Sequence, residues 1–244
     1  MAALKRPGGE LASRPLHFFW IVDCSGSMYG EKIGTVNNAI QSTIPEMVDA
    51  AKDNPNAQLF VRTLKFSDGA SWVTADPVPI EEFAWDDLDA GGCTRLGLAL
   101  DLLAAQLTIP PMTERALPPV LVLLSDGGPT DEYKPALEKL MKLPWAKKSV
   151  RIAISIGKDA DDNVLADFTG NRELVLQANN PQALVKMIKW ASTAASTVSA
   201  PASRPKEQNE PDKAPQGANA TNAPLVLDMN NIPDPNAVGA GDVW

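Results

Sequence analysis

His17-Phe18-Phe19-Trp20-Ile21-Val22 runs directly into Asp23-Cys24-Ser25-Gly26-Ser27, and the reading of this stretch decides the fold. The first six residues are almost continuously apolar, the pattern of a strand covered on both faces in a parallel sheet. The strand then stops at a carboxylate and two hydroxyls spaced D-x-S-x-S. Such a strand end can aim all three oxygen groups at one point, and hard oxygen donors are what a small divalent cation such as Mg²⁺ prefers. Two later segments are placed to complete a site of this kind. They are Gly91-Gly92-Cys93-Thr94, and Ser125-Asp126-Gly127-Gly128 after the apolar run Val120 to Leu124. Gly26 and Gly91-Gly92 permit tight turns and close backbone approach.

Outward from this strand, short buried runs alternate with helical stretches. Glu31 to Lys52 has Ile33, Val36, Ile40, Ile44, Met47 and Val48 on one helical face, with Pro45 expected to bend it. Gln58 to Phe66 and Ala70 to Thr74 flank Ser67-Asp68-Gly69, a hairpin signal that predicts an antiparallel strand at the sheet edge. Pro77 to Ala90 has no clear period and reads as loop or short helix. Arg95 to Leu107 repeats leucine at helical spacing, and a further helix is expected from about Asp131 to Leu143. Ser149 to Ile156 reads as a strand, Ala160 to Phe168 as a short helix and Glu173 to Leu176 as a last strand. Pro181 to Ala195 carries Leu184, Val185, Ile188 and Trp190 as an amphipathic helix. The order predicts a doubly wound α/β fold: a mainly parallel central sheet, one antiparallel edge strand, and helices on both faces. In such folds ligands sit beyond the carboxyl ends of the strands, where the strand order reverses. The candidate metal loops fall at strand ends or helix starts.

Composition narrows the function classes. A 244-residue chain that is 44% hydrophobic can bury one ordinary core. No run approaches the roughly 20 apolar residues of a membrane span, and Lys5 and Arg6 are not followed by the apolar core of a signal peptide. Two cysteines without an export signal point to a reducing cytoplasm. A net charge of −8 argues against nucleic acid or an anionic membrane as partner, because phosphate neutralisation needs clustered Lys and Arg. From about Ser196 to Pro224 the chain is rich in Pro, Ala, Ser and Asn, the composition of a disordered linker. Leu225-Val226-Leu227-Asp228-Met229 then forms an apolar island of the sort that docks on a partner or back on its own domain.

The order D-x-S-x-S, then Thr after a Gly-rich turn, then Asp after a buried strand resembles the von Willebrand factor A family and its metal-ion-dependent adhesion site. The resemblance covers roughly Leu16 to Ala195, and the family pattern falls on Asp23, Ser25, Ser27, Thr94 and Asp126 without departure. It implies a domain over 15–196, and outside that domain the chain is expected to form a flexible N-terminus over 1–14, a disordered linker over 197–224 and a tail over 225–244 with its possible docking segment. It implies that the hydroxyls ligate Mg²⁺ (Mn²⁺ or Ca²⁺ being alternatives) and that the carboxylates act directly or through water. A coordination position stays open for an Asp or Glu carboxylate from a partner protein. Few direct protein charges leave such an ion electrophilic, which suits capture of that carboxylate. The phrases "FFWIVDCSGSM", "GEKI", "VNNAI" and "LLSDGGPTDE" look like the bacterial TerY-like branch, linked to tellurium resistance. That branch implies a cytoplasmic scaffold beside a Ser/Thr kinase or a PP2C-type phosphatase.

Several residues carry competing readings. Asp23 and Ser25 are also good helix caps. Cys24 and Cys93 each adjoin a candidate ligand; they read either as a redox pair or as two small buried thiols in a reduced cytoplasm. His17, the only histidine, has no nucleophile and third partner for a hydrolytic triad. Asp159, Asp161 and Asp162 lack the spacing of a calcium loop and read as a solvated helix start. Gly127-Gly128 lacks the lysine of a phosphate loop. Trp72, Phe83 and Trp85 are open to two readings, partner anchors or packing. An adaptor rather than an enzyme is expected. The competing expectations are a metal-dependent hydrolase acting on phosphoryl groups, with Asp68 or Glu31 recruited as base, and a structural domain with a vestigial site.

Overall fold

The computed structural model describes residues 13–54, 57–158 and 160–199. The expected linker from 200 onward and the tail with Leu225 to Met229 lie outside the described residues, as do Asp159 and nearly all of the segment before the first strand. That strand, β1 (Arg14–Asp23), begins at the last residue of the expected N-terminal segment. It is followed by α1 (Glu31–Lys52), β2 (Ala57–Phe66), β3 (Ala70–Trp72), β4 (Val78–Pro79) and α2 (Leu96–Gln106). Next come β5 (Val120–Ser125), α3 (Tyr133–Lys142), α4 (Pro144–Lys148) and β6 (Val150–Ile156). The order closes with α5 (Asp162–Thr169), β7 (Val175–Ala178) and α6 (Pro181–Ser199). The backbone of α6 runs past the boundary expected at 196. Among the described residues no helix is long and apolar enough to cross a membrane.

The sheet has the order β3-β2-β1-β5-β6-β7, and β4 also pairs with β2. β1 lies parallel to β2 along its whole length and parallel to β5 from Phe18 to Val22. β5–β6 and β6–β7 are parallel too. The antiparallel edge comes in two short pieces rather than one: β3 opposite Leu64 to Phe66, and β4 opposite Phe60 and Val61. The chain leaves β1 in one direction through β2 and returns on its other side through β5. The strand order therefore reverses beside β1, and the crevice beyond the carboxyl ends of β1 and β5 is where such a fold places a ligand.

The central strands are apolar throughout because both faces are covered. Phe18, Trp20 and Val22 of β1 and Val120, Val122 and Leu124 of β5 pack under α1 and α6, with Val36, Ile40, Met47, Leu184 and Ile188. Phe19, Ile21, Leu121 and Leu123 face the opposite layer, where Leu100, Leu103, Leu137, Trp145, Leu165 and Phe168 close the core. Each fully buried side chain of this size contributes about 1.5–3 kcal/mol relative to exposure, so these layers hold the strand ends rigid. α1 matches its expected bounds and continues through Pro45 as one helix. After Leu143 a separate short helix, α4, begins on Pro144, beyond the helix expected to end at Leu143.

The 77–90 segment is anchored inward. Phe83 and Trp85 are buried, and the Asn37 carboxamide accepts from the Trp85 indole N–H at 3.2 Å and from Leu88 N–H at 3.0 Å, while donating to Leu88 C=O. These aromatic residues are packing residues, not partner anchors. Trp72 lies 4.0 Å beneath the Arg62 guanidinium and tilts against Phe19, which makes it an edge-packing residue too.

Candidate metal centre

Three loops converge at the carboxyl ends of β1 and β5. In the first, Asp23 is fully buried at the end of β1, and its Oδ1 accepts the Ser25 backbone N–H at 2.8 Å. A single 3₁₀ turn, Gly26–Met28, follows, so Ser25 and Ser27 fall on the same side. Their hydroxyl oxygens are 3.1 Å apart. Neither serine nor Asp23 caps α1; Gly30 occupies that position, so the helix-cap reading does not hold.

The second loop is sewn to the first by backbone bonds. Gly91 N–H donates to Cys24 C=O at 2.8 Å, and Gly26 N–H donates to Gly92 C=O at 2.9 Å. A side chain at Gly26 would press on that carbonyl at 3.3 Å, which explains the glycine. The hairpin turn between β2 and β3 clamps the same loop from outside. Asp68 Oδ1 accepts Cys93 N–H at 2.8 Å and Ser67 C=O accepts Arg95 N–H at 3.0 Å. Hydrogen bonds from Cys93 hold the Asp68 carboxyl below its usual range, so Asp68 is a poor general base. Glu31, the other base considered, is exposed at the start of α1.

The third loop follows β5. Ser125 donates its hydroxyl to Asp23 Oδ2 at 2.5 Å and accepts Gly127 N–H at 2.9 Å. Asp126 Oδ1 accepts the Ser27 hydroxyl at 2.9 Å, which joins the first and third loops. Its other oxygen, Oδ2, lies 3.1 Å from the Lys32 ammonium. Thr94 is buried and is held to the third loop through its backbone, with C=O accepting Thr130 N–H at 2.7 Å and N–H donating to the Thr130 hydroxyl at 3.2 Å. The Thr94 hydroxyl has no hydrogen-bond partner among the described residues.

Asp23, Ser25, Ser27 and Asp126 are thus joined in one hydrogen-bonded run, through the Ser25 amide at Asp23 and through hydroxyls from Ser25 to Asp126, and Thr94 is tied to Thr130 of the third loop through main-chain bonds. Burial pushes the Asp23 carboxyl upward, against hydrogen bonds from Ser125 and Ser25, and the nearby Asp126 charge pushes the same way. A buried, incompletely compensated carboxylate beside three hydroxyls and a second carboxylate is a donor set for a hard divalent cation. Among the described residues no group of three or more His, Cys, Asp or Glu suits a metal. The cluster fits such an ion through its hydroxyls instead. Ser125, Lys32, Asp68 and Thr130 were not singled out as supporting residues from sequence. Ser125 had a signal as the last strand residue before Asp126.

The remaining candidates separate cleanly. Cys24 is buried with its thiol pushed up to about 12 by burial, whereas Cys93 is exposed, so the pair is not two buried thiols; both are free. His17 sits at the opposite end of β1, stacked between Phe19 and Phe60. Asp161 caps α5 by accepting Asn163 N–H, and Asp162 is bonded by Ser155 and Gln177. That helix start is therefore more tightly engaged than a solvated one.

No protein-family model and no curated protein matches the chain in sequence. Solved structures match in fold. A von Willebrand factor type A structure from Catenulispora acidiphila aligns over 75% of this chain and 43% of its own, with TM-score 0.54 and 17% identity. The pilus adhesin SpaC from Lactobacillus rhamnosus GG, in its open conformation, covers 74% of this chain and 30% of its own, with TM-score 0.59 and 16% identity. Proximal thread matrix protein 1 from the mussel byssus, in a structure with a zinc-occupied MIDAS motif, covers 77% and 49%, with TM-score 0.56 and 17% identity. The chain spans less than half the length of each of these structures. The likeness is one of fold, and the described residues share the α/β architecture of von Willebrand factor type A structures.

Proposed function

We propose that this domain is a divalent-cation-dependent protein–protein interaction module. Asp23, Ser25, Ser27, Thr94 and Asp126 hold the ion, Mg²⁺ by preference. The observation that carries this reading is the hydrogen-bonded run from Asp23 to the Ser25 amide and from the Ser25 hydroxyl through Ser27 to Asp126, built from two loops 99 residues apart. When bound, the ion supplies an open coordination position that accepts a partner's Asp or Glu carboxylate. The chain's own residues do the rest. Ser125 and the Ser25 amide fix the Asp23 carboxylate, and the Cys24–Gly91 and Gly26–Gly92 bonds set the second loop. Thr130 aligns Thr94. The occurrence of the fold in a pilus adhesin and a byssus matrix protein supports an adhesive role. An enzymatic role has less support, because the base it would recruit, Asp68, is committed to the Cys93 amide.

In its finer form the proposal is a cytoplasmic adaptor of the TerY-like type, working beside a Ser/Thr kinase or PP2C-type phosphatase. The motif phrasing around Asp23 and Asp126 supports that setting. An affinity pull-down with Mg²⁺ or with EDTA, on wild type and Asp126→Ala, tests the function. Partner capture is expected only for wild type with Mg²⁺. Equal capture in EDTA, or by folded Asp126→Ala, would refute it.

A further inference from the structure

Lys32 is the second residue of α1, one turn beyond the first loop. A cation in the first turn of a helix faces the positive end of the helix dipole, which costs about 0.3–1 kcal/mol. Its placement there therefore needs a partner, and the partner is Asp126, with Nζ 3.1 Å from Oδ2 and side chains only 18% and 10% exposed. The bare end of β6 receives the lysine stem. Gly157 has φ +92°, and a Cβ there would lie 3.2 Å from both Cε and Nζ of Lys32. Asp126 thus has both oxygens engaged, Oδ1 by the Ser27 hydroxyl and Oδ2 by the ammonium.

We infer that Lys32 is a built-in counter-ion of the cation site, which neutralises Asp126 when no divalent ion is present and sets the affinity with which one binds. This deepens the proposed function and rests on it. Two carboxylates in one cluster repel, and a single ammonium at one of them offsets only part of that charge. A divalent ion offsets more, but it must displace the ammonium from Asp126 or bear its repulsion. Lysine suits the task better than arginine would, because its flexible stem and point charge can swing aside, whereas a guanidinium forks rigidly onto both carboxylate oxygens. Asp126 alternates between an internal monovalent cation and an external divalent one, and Gly157 keeps the slot for the first.

The test is a calorimetric titration of Mg²⁺ and of Mn²⁺ into the full chain as wild type, Lys32→Met, Lys32→Gln and Lys32→Arg, with melting temperatures in EDTA and in Mg²⁺. Removing the charge in Lys32→Met and Lys32→Gln is expected to tighten cation binding by about tenfold or more, while Lys32→Arg stays near or below wild type. In EDTA the two neutral variants should melt below wild type, and Mg²⁺ should close or reverse that gap. A wild type that binds weakly or silently beside a neutral variant that binds supports the inference. Cation binding by wild type with unchanged or weaker affinity in folded Lys32→Met and Lys32→Gln overturns the counter-ion role and leaves the proposed function standing. Absence of binding in every folded variant overturns both.

Discussion

Gly127 and Gly128 are neighbours in sequence, but the structure treats them in opposite ways. Gly127 has φ +88°, and a Cβ built on it would lie 2.7 Å from Asp161 N and 2.9 Å from Asp161 O. Those atoms belong to backbone, which cannot swing aside. Asp161 N–H also donates to Asp126 C=O at 3.1 Å, so the two segments are locked together. A Cβ at Gly128 meets nothing within 4 Å. Gly127→Ala therefore incurs about 1–2 kcal/mol for a left-handed backbone and about 1–3 kcal/mol for overpacking, a total near 3 kcal/mol. For a domain of about 150–250 residues that corresponds to a fall of roughly 6–12 °C in melting temperature. Gly128→Ala should stay within about 0.5 kcal/mol of wild type. Thermal unfolding followed by circular dichroism measures both, and cation titration of the surviving folded protein reports on Asp126. If Gly127→Ala melts with wild type, or if the two variants fall equally, the packing of the third loop against Asp161 is wrongly understood.

Ser125→Ala removes both the donor to Asp23 Oδ2 and the acceptor of Gly127 N–H in a buried setting. The expected loss is about 1–3 kcal/mol in urea unfolding, and an unchanged midpoint would contradict the assignment. His17 is held neutral, its pKa lowered to about 4 from 6.5 by burial first and by the Arg62 charge second. The unfolded chain then takes up the proton before the folded one, so stability falls as pH drops from about 6.5 towards 4, by up to about 3 kcal/mol. His17→Phe should flatten that slope relative to wild type. Equal slopes between pH 6.5 and 5 would show that the imidazole is not shielded.

The fold was legible wherever one element settles its own burial. β1 and β5 announce themselves as continuous apolar runs because α1 and α6 cover one face and α2, α3 and α5 the other. The bounds of α1 follow from its period and its polar flanks. The five oxygen residues were legible as a pattern, and the structure brings four of them into one hydrogen-bonded chain. What escaped is non-local. The Lys32–Asp126 pair spans 94 residues and leaves no mark on local spacing. Phe83 and Trp85 stayed open between partner anchors and packing because their segment has no period, and it is Asn37, from α1, that draws the segment inward. α4 is only five residues long, too short for a helical period to show, although Pro144 is well suited to the first turn of a helix. Cys93 was grouped with Cys24 by proximity to the site, and only the turn held by Asp68 shows that it faces solvent.

The central claim is that the oxygen cluster of Asp23, Ser25, Ser27, Thr94 and Asp126 binds a divalent cation. Electron paramagnetic resonance of free Mn²⁺ during titration into the full chain measures this directly, with Asp23→Asn and Asp126→Ala beside wild type. The account predicts a single saturable site per chain in wild type, displaced by Mg²⁺ and lost in both variants while they remain folded. Mn²⁺ binding of equal strength in the variants, or none in wild type, would contradict it.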